Sequence, residues 1–224
     1  MRGARFRDRF EAGRYLAPAL QSYAGRPNVL VLALPRGGVP VAFEVARALH
    51  APLDVMLVRK LGVPGHEELA LGAIASGGVR IISDEIVRAL GIPDRAIAEI
   101  AAHEEQELDR RAQVYRGTRP PPDVRGKTVI LVDDGLATGS TMRAAVAALK
   151  AQQPERLVVA VPVAAPETCQ SLRQEVDDVV CALAPEPFFA VGNWYQDFSQ
   201  TSDEEVRTLL RRASDTALEV PPAR

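Results

Sequence analysis

Cysteine occurs only twice in these 224 residues, at Cys169 and Cys181, and lysine only three times. Two cysteines are too few for a disulfide framework, so both are expected as small core residues. The three histidines form no zinc-protease motif: His66-Glu67 meets Ala70, and His103-Glu104 meets Glu107. His103 reads as lying on a solvated helix face and His50 at a helix end. Charge of one sign is also lacking. A net charge of −2 offers no electrostatic footprint for nucleic acid. No apolar run reaches the length of a membrane span. The basic start Met1–Arg5 runs into Phe6-Arg7-Asp8-Arg9 rather than an apolar stretch, so no signal peptide is expected and cytoplasm is the default. Because the other basic residues are arginines, Lys60 stands out.

What is present is a soluble-protein composition, 47% hydrophobic and 25% charged, on a chain long enough for one domain with a small appendage. Phe6, Phe10, Leu16, Leu20 and Tyr23 fall at helical spacing, predicting an amphipathic helix over 7–24 that Gly25 and Pro27 end. Buried strands are expected at Val29–Leu34, Leu53–Val58, Lys127–Val132, Arg156–Val163 and Val176–Leu183. Helices are expected at Val39–Leu49, Ser83–Leu90, from Pro93 to about Tyr115, at Thr141–Ala151 and from Pro166 to about Gln174. Ser202-Asp203-Glu204-Glu205 is a capping box opening a last helix to Ala213, and the tail Pro221–Arg224 should fray. Strands alternating with helices predict an α/β fold, a parallel sheet flanked by helices. The core is assigned to 1–184, and a small C-terminal hood with the last helix to 185–224 of the same domain.

Residues 129–141 carry the chemistry. Val129–Val132 is apolar, Asp133-Asp134 stands where the strand ends, and Gly135–Thr141 is a loop of small and hydroxylated residues before a helix. In an open parallel sheet ligands bind beyond the carboxyl ends of strands. Ala137, Thr138, Gly139, Ser140 and Thr141 leave backbone N–H groups free to close around a phosphate, helped by the helix N-terminus. Carboxylates would repel that phosphate, so Asp133 and Asp134 must serve another part of the ligand. Ribose hydroxyls or a bound Mg²⁺ suit them. No Gly-Lys-Ser/Thr ends the loop, so it is not a Walker A loop, and it lacks the alternating ligands of an EF-hand.

The string resembles the signature of type I phosphoribosyltransferases, Rossmann-like enzymes whose donor is 5-phosphoribosyl 1-pyrophosphate (PRPP). The resemblance implies that Asp133 and Asp134 hold the ribose hydroxyls and that Ala137 to Thr141 hold the 5′-phosphate. It also implies Mg²⁺ as cofactor, PRPP and a nucleobase as small-molecule partners, and a homodimer. The loop Leu34-Pro35-Arg36-Gly37-Gly38-Val39-Pro40 matches the family's pyrophosphate loop, so Arg36, Gly37 and Gly38 become substrate-binding candidates and a cis bond is expected between Pro35 and Arg36. Alone, Gly37-Gly38 would read as a plain turn.

Arg59-Lys60, read as the end of the second strand, would neutralise pyrophosphate. Arg59-Lys60-Leu61-Gly62-Val63-Pro64-Gly65 resembles the corresponding segment of adenine phosphoribosyltransferases. Residues 61–78, rich in glycine, would then be a mobile catalytic lid that excludes water. His66, Glu67 and Glu68 would touch pyrophosphate, metal or base from it, or simply be solvated.

For the acceptor, Phe189-Ala190-Val191-Gly192 with Asp197 resembles the hood of hypoxanthine-guanine phosphoribosyltransferases. There an aromatic ring stacks on the purine and an Asp reads its edge. Phe188 competes with Phe189, and the segment also reads as an aromatic mini-core under the last helix. Against that likeness, Ala137 replaces an acid and residues 174–178 hold no lysine. The expected function is transfer of phosphoribosyl to a nucleobase, purine ahead, with Asp133, Asp134, Arg59 and Lys60 catalytic. The alternatives are a non-catalytic PRPP sensor and a hydrolase.

Overall fold

Hydrophobic runs with no polar alternation need cover on both faces, and a parallel sheet between helices provides it. The computed structural model describes residues 5–64 and 66–218. In chain order come α1 (Arg9–Leu16), β1 (Val29–Ala33), α2 (Gly38–Leu49) and β2 (Leu53–Val55). Next are β3 (Val58–Val63), β4 (His66–Ala75), β5 (Val79–Ile82), α3 (Asp84–Leu90) and α4 (Asp94–Arg116). The chain continues with β6 (Thr128–Val132), α5 (Ser140–Lys150), β7 (Arg156–Val163), α6 (Pro166–Leu172), β8 (Asp178–Leu183) and α7 (Asp203–Leu218).

Five strands pair in the order β2-β1-β6-β7-β8, all parallel. Side chains alternate faces as the pleat demands. Val129 and Leu131 of β6 enter one core, and Ile130 and Val132 the other. The order means that the chain winds outward from β1 to β2, then returns to place β6 on the other flank of β1. The connections leaving β1 and β6 therefore diverge, and they open a crevice at the carboxyl end of the sheet. In-register pairing brings Ala33 opposite Val132, and the Leu34 N–H donates to the Val132 carbonyl at 2.9 Å. The first loop and the acid pair thus start side by side.

Several boundaries differ from expectation. The first helix is α-helical only to Leu16 and continues as a 3₁₀ helix from Ala17 to Tyr23. Pro18 has no N–H for an α-helical bond at that point. The second strand stops at Val55. Arg59 and Lys60 do not end it; they lie inside β3, the first strand of a separate antiparallel sheet β3-β4-β5. The proposed lid, 61–78, is accordingly a β-ribbon over most of its length, with Gly62 and Gly72 inside strands rather than at hinges. Gly65 and the side chains of Glu67 and Glu68 lie outside the described residues, as does the tail Pro221–Arg224. Cys169 and Cys181 both pack in the core as expected, and they are in addition joined in a disulfide. The capping box forms: the Glu205 N–H donates to Ser202 Oγ at 3.1 Å, and α7 runs beyond Ala213 to Leu218. Among the described residues no helix is long and apolar enough to cross a membrane.

β6 is the middle strand of five and both its faces are covered, so its side chains have little room to readjust. Leu131, fully buried, should cost about 3 kcal/mol on replacement by Ala. Denaturant unfolding checks this; a loss under about 1 kcal/mol would contradict the two-faced core.

Candidate functional site

Asp133 and Asp134 follow β6 directly, and the glycines of the first loop are pressed against them. A Cβ at Gly37 would overlap Asp134 Oδ2. One at Gly38 would lie 2.7 Å from the Val132 carbonyl oxygen and 3.2 Å from Asp133 Oδ1. Only glycine permits this approach. The expected cis bond between Pro35 and Arg36 is present in this loop. A cavity of about 20 Å³, the room of one water, joins Pro35 to Thr141 and to Arg111 of α4.

The second loop is braced from behind. Thr168 Oγ1 of α6 donates to the Ala137 carbonyl at 2.6 Å. Arg143 of α5 donates to the Thr138 carbonyl at 2.9 Å and is itself held by Glu175 at 2.8 Å. Gly139 turns the chain in the left-handed region at φ 73°, where a Cβ would meet Thr168 Cγ2 at 2.8 Å. With its carbonyls tied back, the loop presents Thr138, Ser140 and Thr141 on the exposed side at the start of α5. The first N–H groups of α5 open in the same place, and α5 has no acidic side chain in its first turn.

The acid pair is electrostatically loaded. Burial pushes the Asp133 carboxyl well above its ordinary range, and the Asp134 charge pushes it further. Burial raises Asp134 as well, and Arg9 opposes the rise. Arg9 Nε donates to Asp134 Oδ2 at 2.8 Å, with both side chains largely buried. Its guanidinium carbon sits 4.1 Å from the Phe198 ring centroid, and its NH1 donates to the Ser199 carbonyl at 2.6 Å. Tyr195 completes the support, donating its hydroxyl to the Asp134 carbonyl at 2.6 Å. Arg9 and Tyr195 were not singled out from the sequence. Arg9 stands 125 residues from its partner, and helical spacing alone marks it as a solvent-facing position of an amphipathic helix.

The hood is a composite of both ends of the chain. The Phe6 N–H donates to the Trp194 carbonyl at 2.9 Å, and the Gln196 N–H donates to the Phe6 carbonyl at 2.8 Å. Phe6, Ala12, Val163 and Tyr195 form a small core, with Phe188 and Val191 against it. The mini-core therefore exists, but it packs on the N-terminal segment rather than beneath the last helix. Phe188 turns inward and Phe189 outward, at 80% exposure. Asp197 is exposed and accepts the Ser199 N–H at 2.9 Å.

Of the cationic candidates, Arg36 stands in the first loop and Arg59 and Lys60 stand side by side on β3. Arg59 is bonded to Glu104 of α4, and Lys60 lines a cleft of about 390 Å³ between the ribbon and α4. Arg36 faces Asp203 at the start of α7, 3.8 Å away. His66 is exposed at the start of β4. Among the described residues no three His, Cys, Asp or Glu side chains gather as a metal site. The acid pair still fits Mg²⁺ of the kind that arrives on substrate phosphates and keeps most of its waters. Two largely buried carboxyls beside one guanidinium favour hydroxyl donors or a cation next to them.

Two substitutions probe this geometry. Gly37→Ala must displace either the loop or Asp134. A misplacement of about 1 Å should lower turnover about 100-fold, and a steady-state assay showing less than a few-fold change would contradict the close approach. Arg9→Ala removes the group that opposes the upward shift of Asp134. The acid limb of the pH–rate profile should then move to higher pH; an unmoved limb would show that Asp134 does not depend on Arg9.

A family model described as the phosphoribosyl transferase domain matches residues 8–193. A Mycobacterium tuberculosis protein provisionally named a phosphoribosyl transferase is 46% identical over 208 residues, 93% of this chain and 47% of that protein. The chain thus spans about half the length of the curated relatives it matches first. A uracil phosphoribosyltransferase of Lactobacillus gasseri is 30% identical over 169 residues, covering 71% of this chain and 75% of that protein. Among solved structures, TT1426 from Thermus thermophilus superposes with a TM-score of 0.84 at 45% identity, over 93% of this chain and 98% of the other. With the parallel sheet, the acid pair and the two loops of its crevice, this chain belongs to the phosphoribosyl transferase family.

Proposed function

We propose that this protein transfers the 5-phosphoribosyl group of PRPP to a nucleobase and releases pyrophosphate. The observation that carries the reading is the packing of Gly37 and Gly38 against Asp133 and Asp134. It supports reading the first loop as the anion-binding turn, the acid pair as hydroxyl acceptors and the second loop as the phosphate loop of one crevice. The 5′-phosphate would sit on Thr138 to Thr141 at the start of α5. The ribose hydroxyls would donate to Asp133 and Asp134. The pyrophosphate would lie along Arg36, Gly37 and Gly38.

Chemically, the C1′–O bond breaks early and pyrophosphate departs with both electrons. The ribose passes through an oxocarbenium-like state, and the acceptor nitrogen then bonds to C1′ and releases its proton. No protein nucleophile is required, so the residues act by positioning and charge. Asp133 and Asp134 hold the sugar by its hydroxyls. Arg36 supports the leaving group, and Arg59 and Lys60, now turned toward α4, would have to swing in with the ribbon to join it. Mg²⁺, bound with PRPP near the acid pair, would supply further stabilisation of the leaving charge. The outward ring of Phe189 would be the stacking surface for the base, with Asp197 of the same segment as an edge acceptor. The uracil phosphoribosyltransferase relative puts uracil ahead of the purines as the first acceptor to try.

Pyrophosphate release should be measured with PRPP, Mg²⁺ and a panel of uracil, adenine, guanine and hypoxanthine. The expected outcome is release with one base, abolished in the Asp133→Asn, Asp134→Asn variant. Saturable PRPP binding without release for any base would replace the transferase by a sensor; release without any base would replace it by a hydrolase.

The same pair predicts a stability effect. A carboxyl raised by folding favours the protonated folded state. The contribution of this carboxyl to stability is therefore most favourable at low pH and is lost as pH rises from the ordinary carboxylate range through its raised value. Asp133→Asn should raise Tm at neutral pH, by about 4 °C or less per kcal/mol relieved for a chain of this size, and the gain should shrink on acidification. A fall in Tm at neutral pH would contradict the burial argument.

A further inference from the structure

α7 runs beside the C-terminal end of α4, and together they enclose a cleft of about 560 Å³. Four guanidinium groups line it, Arg116 at the end of α4, Arg119 just past that end, and Arg207 and Arg211 from one face of α7. Among the described residues two carboxylates, Glu204 and Asp215, share these walls. Arg116 is buried and already bonded to Asp54 at 2.9 Å and to the Val55 carbonyl. The other three arginines are exposed. Arg211 reaches the Thr208 hydroxyl at 3.3 Å.

Among the described residues none of these three forms an ion pair. The sequence places partners within easy reach. Asp203 lies four residues before Arg207 and Asp215 four residues after Arg211, the spacing at which helical ion pairs form. Neither pair is made. Asp203 instead takes the Tyr115 hydroxyl at 2.5 Å and faces Arg36 at 3.8 Å. Arginines at a helix C-terminus often just offset the helix dipole. That explanation serves Arg116 and Arg119 but not Arg207 and Arg211, which lie within α7. Converging like charges left unpaired repel one another until an anion joins them. Guanidinium forks match phosphate oxygens two at a time.

We propose that this cleft is a second binding site, for a small, multiply charged phosphate compound, distinct from the PRPP crevice. Its volume falls in the usual range of small-molecule sites. Tyr115 lines the cleft and bonds Asp203, and Asp203 faces Arg36 in the cis-peptide loop. An occupant that draws in Arg207 therefore acts on the same turn of α7 that meets the loop. The cleft stands on its own geometry; the consequence for PRPP rests on the transferase reading of Arg36.

The probes are inorganic tripolyphosphate and ATP, which separate a bare polyphosphate from a nucleotide. Ser140→Asp first places a negative charge in the phosphate loop, closing the crevice to both. Titration calorimetry on that variant should show saturable binding of at least one probe. Adding Arg119→Ala, Arg207→Ala and Arg211→Ala should weaken it at least tenfold, with circular dichroism confirming the fold. Hydrogen exchange across residues 34–40 should also change on binding, and Tyr115→Phe should remove that change. No saturable binding to the Ser140→Asp protein, or binding that survives the arginine substitutions, overturns the site. Binding with unaltered exchange across 34–40 overturns the link to the loop. Failure of PRPP to bind the unmodified protein would sink the transferase reading and leave the cleft standing.

Discussion

Two carboxylates held against a glycine turn at the carboxyl end of a parallel sheet are the constraint on which the rest of the structure depends. The strand order places β1 and β6 side by side, so the chain leaving each must share the same space. Gly37 and Gly38 resolve that conflict by having no side chain where Asp133 and Asp134 stand. The penalty is electrostatic: two carboxyls withdrawn from water next to each other, each disfavouring the other's ionisation. A ligand rich in hydroxyl donors, carrying a divalent cation on its phosphates, would relieve it. Here the folded protein and its proposed substrate meet.

Much of the remaining architecture keeps this arrangement from collapsing. Arg9 brings a guanidinium to Asp134, and the Phe198 ring and the Ser199 carbonyl fix it. Tyr195 ties the backbone of Asp134 to the hood. The N-terminal segment and the hood pair with each other through Phe6, so both ends of the chain converge on one carboxylate. On the phosphate side, Arg143 and Thr168 hold carbonyls away from the crevice and leave donors facing it. A buried, partly uncompensated charge of this kind is poor for stability, and its retention is what a binding site for a polar ligand requires.

The sheet and the acid-pair loop were legible because their signals are local. Val129–Val132 is a run too apolar for anything but a buried strand, and small residues after Asp133-Asp134 leave one use for the helix start. Features built from distant residues were not legible. Arg9 and Asp134 are separated by most of the chain, and no periodicity links them. The ribbon β3-β4 was hidden by glycines that sit within strands, where they usually mark loops. Cys169 and Cys181 lie on α6 and β8, and twelve residues of separation say nothing about whether two sulfurs face each other. Arg59 and Lys60 were found by likeness, yet their position on a separate sheet depends on where the second strand ends.

The central claim is that the two loops act as one site. Amide hydrogen exchange with and without PRPP and Mg²⁺ tests it most directly. Slowed exchange should develop in residues 34–38 and 136–141 over the same PRPP concentrations. Protection confined to one loop, or absent from both at saturating PRPP, would contradict the account.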